Sequence, residues 1–138
     1  MSVELIVYFR RSAMPSPSVW RQAILASGLP VELDDDFDPD TFSGFLPCNL
    51  DGKASGFEYF AGPLSPQEAV DAGAPAGSDF SVTLVTHSDL KEFSCAAIAA
   101  GALALSSGGL LIDPQSGESF QAADAMTWAV EQFAEAKR

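Results

Sequence analysis

Short apolar runs alternate with polar breaks along the 138-residue chain, and their spacing predicts a βα start, a β-rich middle and a βαβα end. Val3 to Phe9 is β-branched and aromatic, long enough for a strand buried on one or both faces. Ser16 followed by Pro17 reads as a helix N-cap and first helical position, and Gly28 stops that helix. Val19, Trp20, Ala23 and Ile24 share its inward face. Leu29 to Leu33 predicts a short strand. Thr41 to Leu50 and Lys53 to Phe60 flank Asp51-Gly52, a pair that favours a type I′ turn, so a hairpin is expected there. Phe42, Phe45, Phe57, Tyr59 and Phe60 make it the aromatic centre of the chain.

Ser65 and Glu68 have the spacing of a capping box, opening a short helix to about Ala72. Phe80 to Thr86 alternates with Phe80, Val82 and Leu84 facing inward. Asp89 caps a long Ala-rich helix that ends at Gly108-Gly109, and Leu110 to Ile112 is a short buried strand. Ser119 is expected to cap a closing helix whose inward stripe is Met126, Ala129, Val130 and Phe133. This order predicts a single α+β domain over residues 1–138, a mixed but largely antiparallel sheet with helices packed mainly on one face. A hairpin between two βα units also suggests a split β-α-β arrangement.

Composition sharpens the picture. At 47% apolar residues the chain can bury a core, which excludes intrinsic disorder despite a net charge of −12. Seven Lys and Arg against nineteen Asp and Glu argue against phosphate-mediated nucleic-acid binding and against anionic membranes. The N-terminus reads as a strand rather than a signal peptide, and no apolar run reaches the ~20 residues of a membrane span, so a cytoplasmic location is expected. Cys48 and Cys95 stand far apart in sequence and form neither a metal knuckle nor a redox pair, which predicts buried thiols on different elements.

Charge is distributed unevenly. From Glu32 to Asp40 six of nine residues are acidic, and Pro39 forbids regular pairing, so a solvated loop is expected. Asp34, Asp36, Asp38 and Asp40 alternate as a calcium loop begins, but Pro39 stands where the tight-turn Gly of that loop belongs. With a single His and two dispersed Cys, no metal or cofactor is expected. No nucleophile elbow or local Cys–His signature is present, and the expectation leans away from an enzyme. A weaker chemical reading gathers His87, at the end of a strand, with Arg10 and Ser107 into a small-ligand or catalytic pocket. Asp113 could join such a group.

The Ala-rich helix, Gly108-Gly109, the short apolar strand, the turn Asp113-Pro114-Gln115-Ser116-Gly117-Glu118 and the closing helix together resemble a module of small bacterial proteins. Several of those resemble immunity proteins of polymorphic-toxin or contact-dependent competition systems. The likeness spans residues 82–136 and implies a fold for that segment and no particular binding residue. Taken with the charge map, the leading expectation is a protein-binding domain, an immunity-type inhibitor of a basic partner such as a toxin. Its surface would be Asp34, Asp35, Asp36, Phe37, Asp38 and Asp40, an aromatic anchor ringed by carboxylates. The pocket near His87 and a homo-oligomer joined through the hairpin aromatics remain the alternatives.

Overall fold

The computed structural model describes residues 2–87 and 89–136. Seven strands form one sheet: β1 (Val3–Phe9), β2 (Val31–Leu33), β3 (Gly44–Leu50), β4 (Gly56–Pro63), β5 (Phe80–Thr86), β6 (Leu110–Asp113) and β7 (Glu118–Gln121), in the spatial order β2-β3-β4-β5-β1-β6-β7. Three α-helices connect strands, α1 (Pro17–Leu25), α2 (Pro66–Ala72) and α3 (Leu90–Ser107), and α4 (Ala122–Ala136) follows β7. The fold is α+β as expected, but every ladder is antiparallel, so the sheet is not mixed. The split β-α-β unit exists in a different place from the hairpin. Helix α3 carries the chain from β5 to β6, and β1 runs antiparallel between the two.

Local signals set most element ends. The Ser16 side chain accepts the Val19 N–H at 3.2 Å, and the capping box of Ser65 and Glu68 is complete. Asp51 and Gly52 both hold positive φ, 53° and 77°, as a type I′ turn requires. Asp89 caps α3 by accepting the Lys91 N–H at 2.7 Å.

Alternation along the strands divides the sheet into two faces. Leu5, Val7 and Phe9 of β1, with Phe80, Val82 and Leu84 of β5, point to the helical side and are buried. Helix α3 lies against them. Its residues from Ser94 to Ala104 are all buried, because the sheet covers one side while α1 and α4 cover the others. By length and hydropathy α3 would also suffice to cross a membrane; here it is the core helix. Small side chains let α4 approach closely: a Cβ on Gly101 would stand 2.8 Å from the Cβ of Ala129 and 3.1 Å from the Ala125 carbonyl oxygen. The Trp20 indole N–H of α1 donates to the Ala99 carbonyl of α3 at 2.9 Å, locking the two helices together.

The C-terminal segment differs from expectation in two ways. Ser119 does not cap a helix; it pairs with Ile112 in β7, and α4 begins at Ala122. The inward stripe of α4 is Ala125, Trp128, Ala129 and Phe133, whereas Val130 is 39% exposed. Trp128 sets this rotation by stacking on Phe120 of β7 at 5.0 Å and meeting Phe93 of α3 edge-on. Likewise Val19, expected on the inward face of α1, is exposed, and Trp20 and Ile24 carry that packing.

Gly101→Val should therefore destabilise the fold by about 2 kcal/mol, since overpacking a close helix contact typically costs 1–3. Urea unfolding is expected to show a lower midpoint with an unchanged slope.

Candidate functional site

The acidic loop between β2 and β3 is not a loose tether. Phe37 is half-buried, and its ring meets Tyr59 at 5.5 Å, Phe42 at 5.7 Å and Trp20 at 6.2 Å, all edge to face. Each such pair contributes about 0.5–1.5 kcal/mol beyond the area it buries. The Tyr59 hydroxyl donates to the Pro39 carbonyl at 2.6 Å, and the Asp34 N–H donates to the Pro47 carbonyl at 3.1 Å. Within the loop, the Asp38 carbonyl accepts from the Phe42 and Thr41 N–H groups, and its carboxylate accepts from the Asp40 N–H. Phe37 thus anchors the loop from beneath. It is not the exposed aromatic anchor that the sequence suggested.

Two arginines neutralise part of the charge. Arg11 pairs with Asp40 at 3.1 Å, and Arg21 spans Glu32 at 3.2 Å and Asp35 at 3.6 Å. None of the ion pairs among the described residues includes Asp34, Asp36 or Asp38. Asp36 and Asp38 are exposed, so the loop presents unpaired carboxylates from a fixed backbone. Among the described residues, no three His, Cys, Asp or Glu side chains are gathered as a metal ion would require.

Burial, and after it the charges of Asp40 and Asp38, push the Tyr59 hydroxyl well above its ordinary pKa. Its proton is held in the bond to Pro39.

His87, Arg10 and Ser107 do not form a pocket. His87 follows the Thr86 end of β5, where Thr86 pairs with Val3. Arg10 follows Phe9, which pairs with Phe80 at the other end of the same strand, about 20 Å away at the usual rise per residue. Ser107 lies at that distant end too, its hydroxyl oxygen 3.0 Å from where a Cβ on Gly109 would stand beside Phe9. The His87 side chain is 60% exposed, with Nε2 3.6 Å from the Glu58 carboxylate. Arg10 spends its guanidinium on the Ala76 carbonyl, at 3.0 and 3.3 Å. Asp113 accepts the Gln115 N–H in the turn after β6. The sequence suggested this pocket because strand ends often carry active sites; the register separates its members.

Two further features stand apart from these candidates. Cys48 and Cys95 do sit on different elements, β3 and α3, yet meet in the core, with the Cys95 thiol 3.6 Å from the Cys48 carbonyl oxygen. Hydrogen bonding to Cys95 and then burial push the Cys48 thiol far up, so it stays protonated. The other feature is the sheet face turned away from the helices. Phe45 is 56% exposed and Phe60 42%, and both belong to the hairpin whose remaining aromatics, Phe57 and Tyr59, point inward. Strand alternation alone could have revealed the outward pair.

Several open grooves mark the surface, among them a cleft of about 470 Å³ between the turn after α2 and the start of α4. One groove of about 200 Å³ is lined by Leu50, Leu90, Phe133 and the chains of Lys53 and Lys91. Its hydroxyl, on Ser94, donates back to the Leu90 carbonyl of its own helix. What the geometry defines is a small α+β domain with charged and apolar outer surfaces. No known family, curated protein or solved structure matches the chain.

Tyr59→Phe should cost about 1 kcal/mol, the usual worth of one such hydrogen bond, and speed amide exchange from Phe37 to Phe42. Above pH 10.0 the unfolded chain releases the tyrosine proton while the folded state keeps it, so stability is full below that pH and falls as pH rises past it. The variant should flatten that decline in pH-dependent unfolding; an unchanged slope would show that Tyr59 is not the group responsible.

Proposed function

We propose that this is a protein-binding domain, an immunity-type inhibitor acting in the cytoplasm, which engages a basic protein partner through its acidic loop. The observation that carries the reading is the set of carboxylates on Asp34, Asp36 and Asp38, left without cationic partners on a backbone that aromatic packing holds still. A loop fixed before binding loses little conformational entropy on association, and unscreened like charges accelerate the approach of a cationic surface. Asp35 and Asp40 take part at the rim, already shared with Arg21 and Arg11. Phe37 serves by positioning the loop. The pocket alternative loses its basis with the separation of His87 from Arg10 and Ser107.

The chain should capture a basic protein from lysate of the cells that produce it at low ionic strength and release it at high ionic strength. Converting Asp34, Asp36 and Asp38 together to Asn is expected to weaken that binding about tenfold or more, since close interfacial charge pairs couple by 1.5 kcal/mol upward. A captured protein whose affinity ignores both salt and these substitutions would refute the acidic loop as the binding surface.

A further inference from the structure

The face of the sheet opposite the helices carries a second surface. Register places Phe45, Glu58, Val85 and Glu4 side by side across β3, β4, β5 and β1. The next row is Phe60, Thr83, Ile6 and Ile112, crossing β4, β5, β1 and β6. An antiparallel sheet with one solvated face normally alternates apolar inward and polar outward. Here the outward positions hold two exposed phenylalanines and the half-buried Ile6, Val85 and Ile112.

Helix α2 does not cover these rows. Glu68 of α2 lies close enough to Tyr8 to raise the tyrosine pKa, after the larger effect of burial. The turn after α2, at Gly73 and Pro75, shares a cleft with Leu110 and Gln121. Tyr8, Leu110 and Gln121 all belong to the third row, so α2 roofs that row and stops short of the other two.

The charges on the uncovered rows are of one sign. Glu4 and Glu58 stand among the apolar side chains, while Glu32, farther out on β2, is already paired with Arg21. On the two rows themselves the described basic side chain is His87, beside Glu58. A second copy of this chain would set Glu4 and Glu58 against their own equivalents, and an anionic lipid surface would meet the same repulsion. An apolar surface ringed by carboxylates fits a partner with an apolar stripe flanked by Lys or Arg.

We infer that the open rows of the sheet dock a basic amphipathic helix of a partner protein, which would lie beside α2 and extend the cover that α2 gives to the third row of the same face. The inference rests on the proposed reading to the extent that the partner is basic, but it uses a surface distinct from the acidic loop. Apolar side chains of such a helix would rest on Phe60, Ile6 and Val85, and its cations would reach Glu4 and Glu58. A twisted sheet face accepts a helix in this way on the other side already, where α3 lies.

The test uses the full chain and a synthetic helical peptide of Leu and Lys with one apolar face, beside a scrambled peptide of equal composition. Backbone NMR shifts should move at Ile6, Thr83, Val85 and Phe60 with the amphipathic peptide, and the scrambled one should bind about tenfold more weakly. Phe60→Thr, an exposed change that keeps β propensity, should lower affinity about tenfold, the scale of a central aromatic contact. Glu4→Gln with Glu58→Gln should weaken binding and reduce its salt dependence. The triple Asn variant of the acidic loop should leave peptide binding at the sheet unchanged, so a failure of either surface is seen separately. Absent binding, equal binding of both peptides, or shifts confined to the acidic loop would overturn the inference. So would a dimer in light scattering that Phe60→Thr dissociates, since a second copy would then be the occupant.

Discussion

The close contact of α3 with its surroundings on every side is the constraint on which the rest of the molecule depends. A helix apolar all round has to be enclosed, and eleven successive residues from Ser94 to Ala104 are. Alanine and glycine make this possible. Large side chains on α3 would push α4 and α1 outward, and the sheet would no longer reach both. The close approach of Gly101 to Ala129 therefore sets the spacing of α3 and α4, and the Trp20 bond to Ala99 fixes α1 against α3. With α3 built largely of small residues, the large buried aromatics come from the elements around it, Phe9, Trp20, Phe57 and Tyr59 among them.

Two of these belong to the cluster of Trp20, Phe37, Phe42 and Tyr59, which joins α1, the acidic loop and β4. Mutual repulsion in the loop would favour an extended, mobile chain. Two arginines and four rings oppose it, and Tyr59 adds a hydrogen bond from beneath at Pro39. The same cluster that completes the core holds the carboxylates of Asp36 and Asp38 outward. Stability and the proposed binding surface thus draw on the same packing, so Phe37 and Tyr59 matter to both.

Elements specified by short-range chemistry were legible in the sequence. The Ser16 cap, the Ser65 and Glu68 box, the Asp51-Gly52 turn and the alternation from Phe80 to Thr86 each depend on neighbours within a few residues. Strand β7 was not legible, because Glu118 to Gln121 is short and polar and is held by pairing with β6. The phase of α4 follows from the same strand: Met126, Trp128 and Val130 offer competing apolar faces, and Phe120 on β7, itself placed by pairing with β6, decides among them. Of the candidate sites, the acidity of the loop was plain, whereas its anchoring through Phe37 is tertiary. The supposed neighbours His87 and Arg10 were separated by strand direction, which no local pattern encodes. The bare sheet face was legible in part: alternation marks Phe45 and Phe60 as a pair on one side of the hairpin, but a strand apolar on both sides does not say which side a helix will cover.

The paired thiols of Cys48 and Cys95 give the molecule a built-in reporter. Both side chains are wholly shielded, one on β3 and the other on α3, so an alkylating reagent finds them only when strand and helix part. The pace at which they become modified is then the pace at which this sheet edge breathes away from the central helix. No dye or engineered tag is needed to time it.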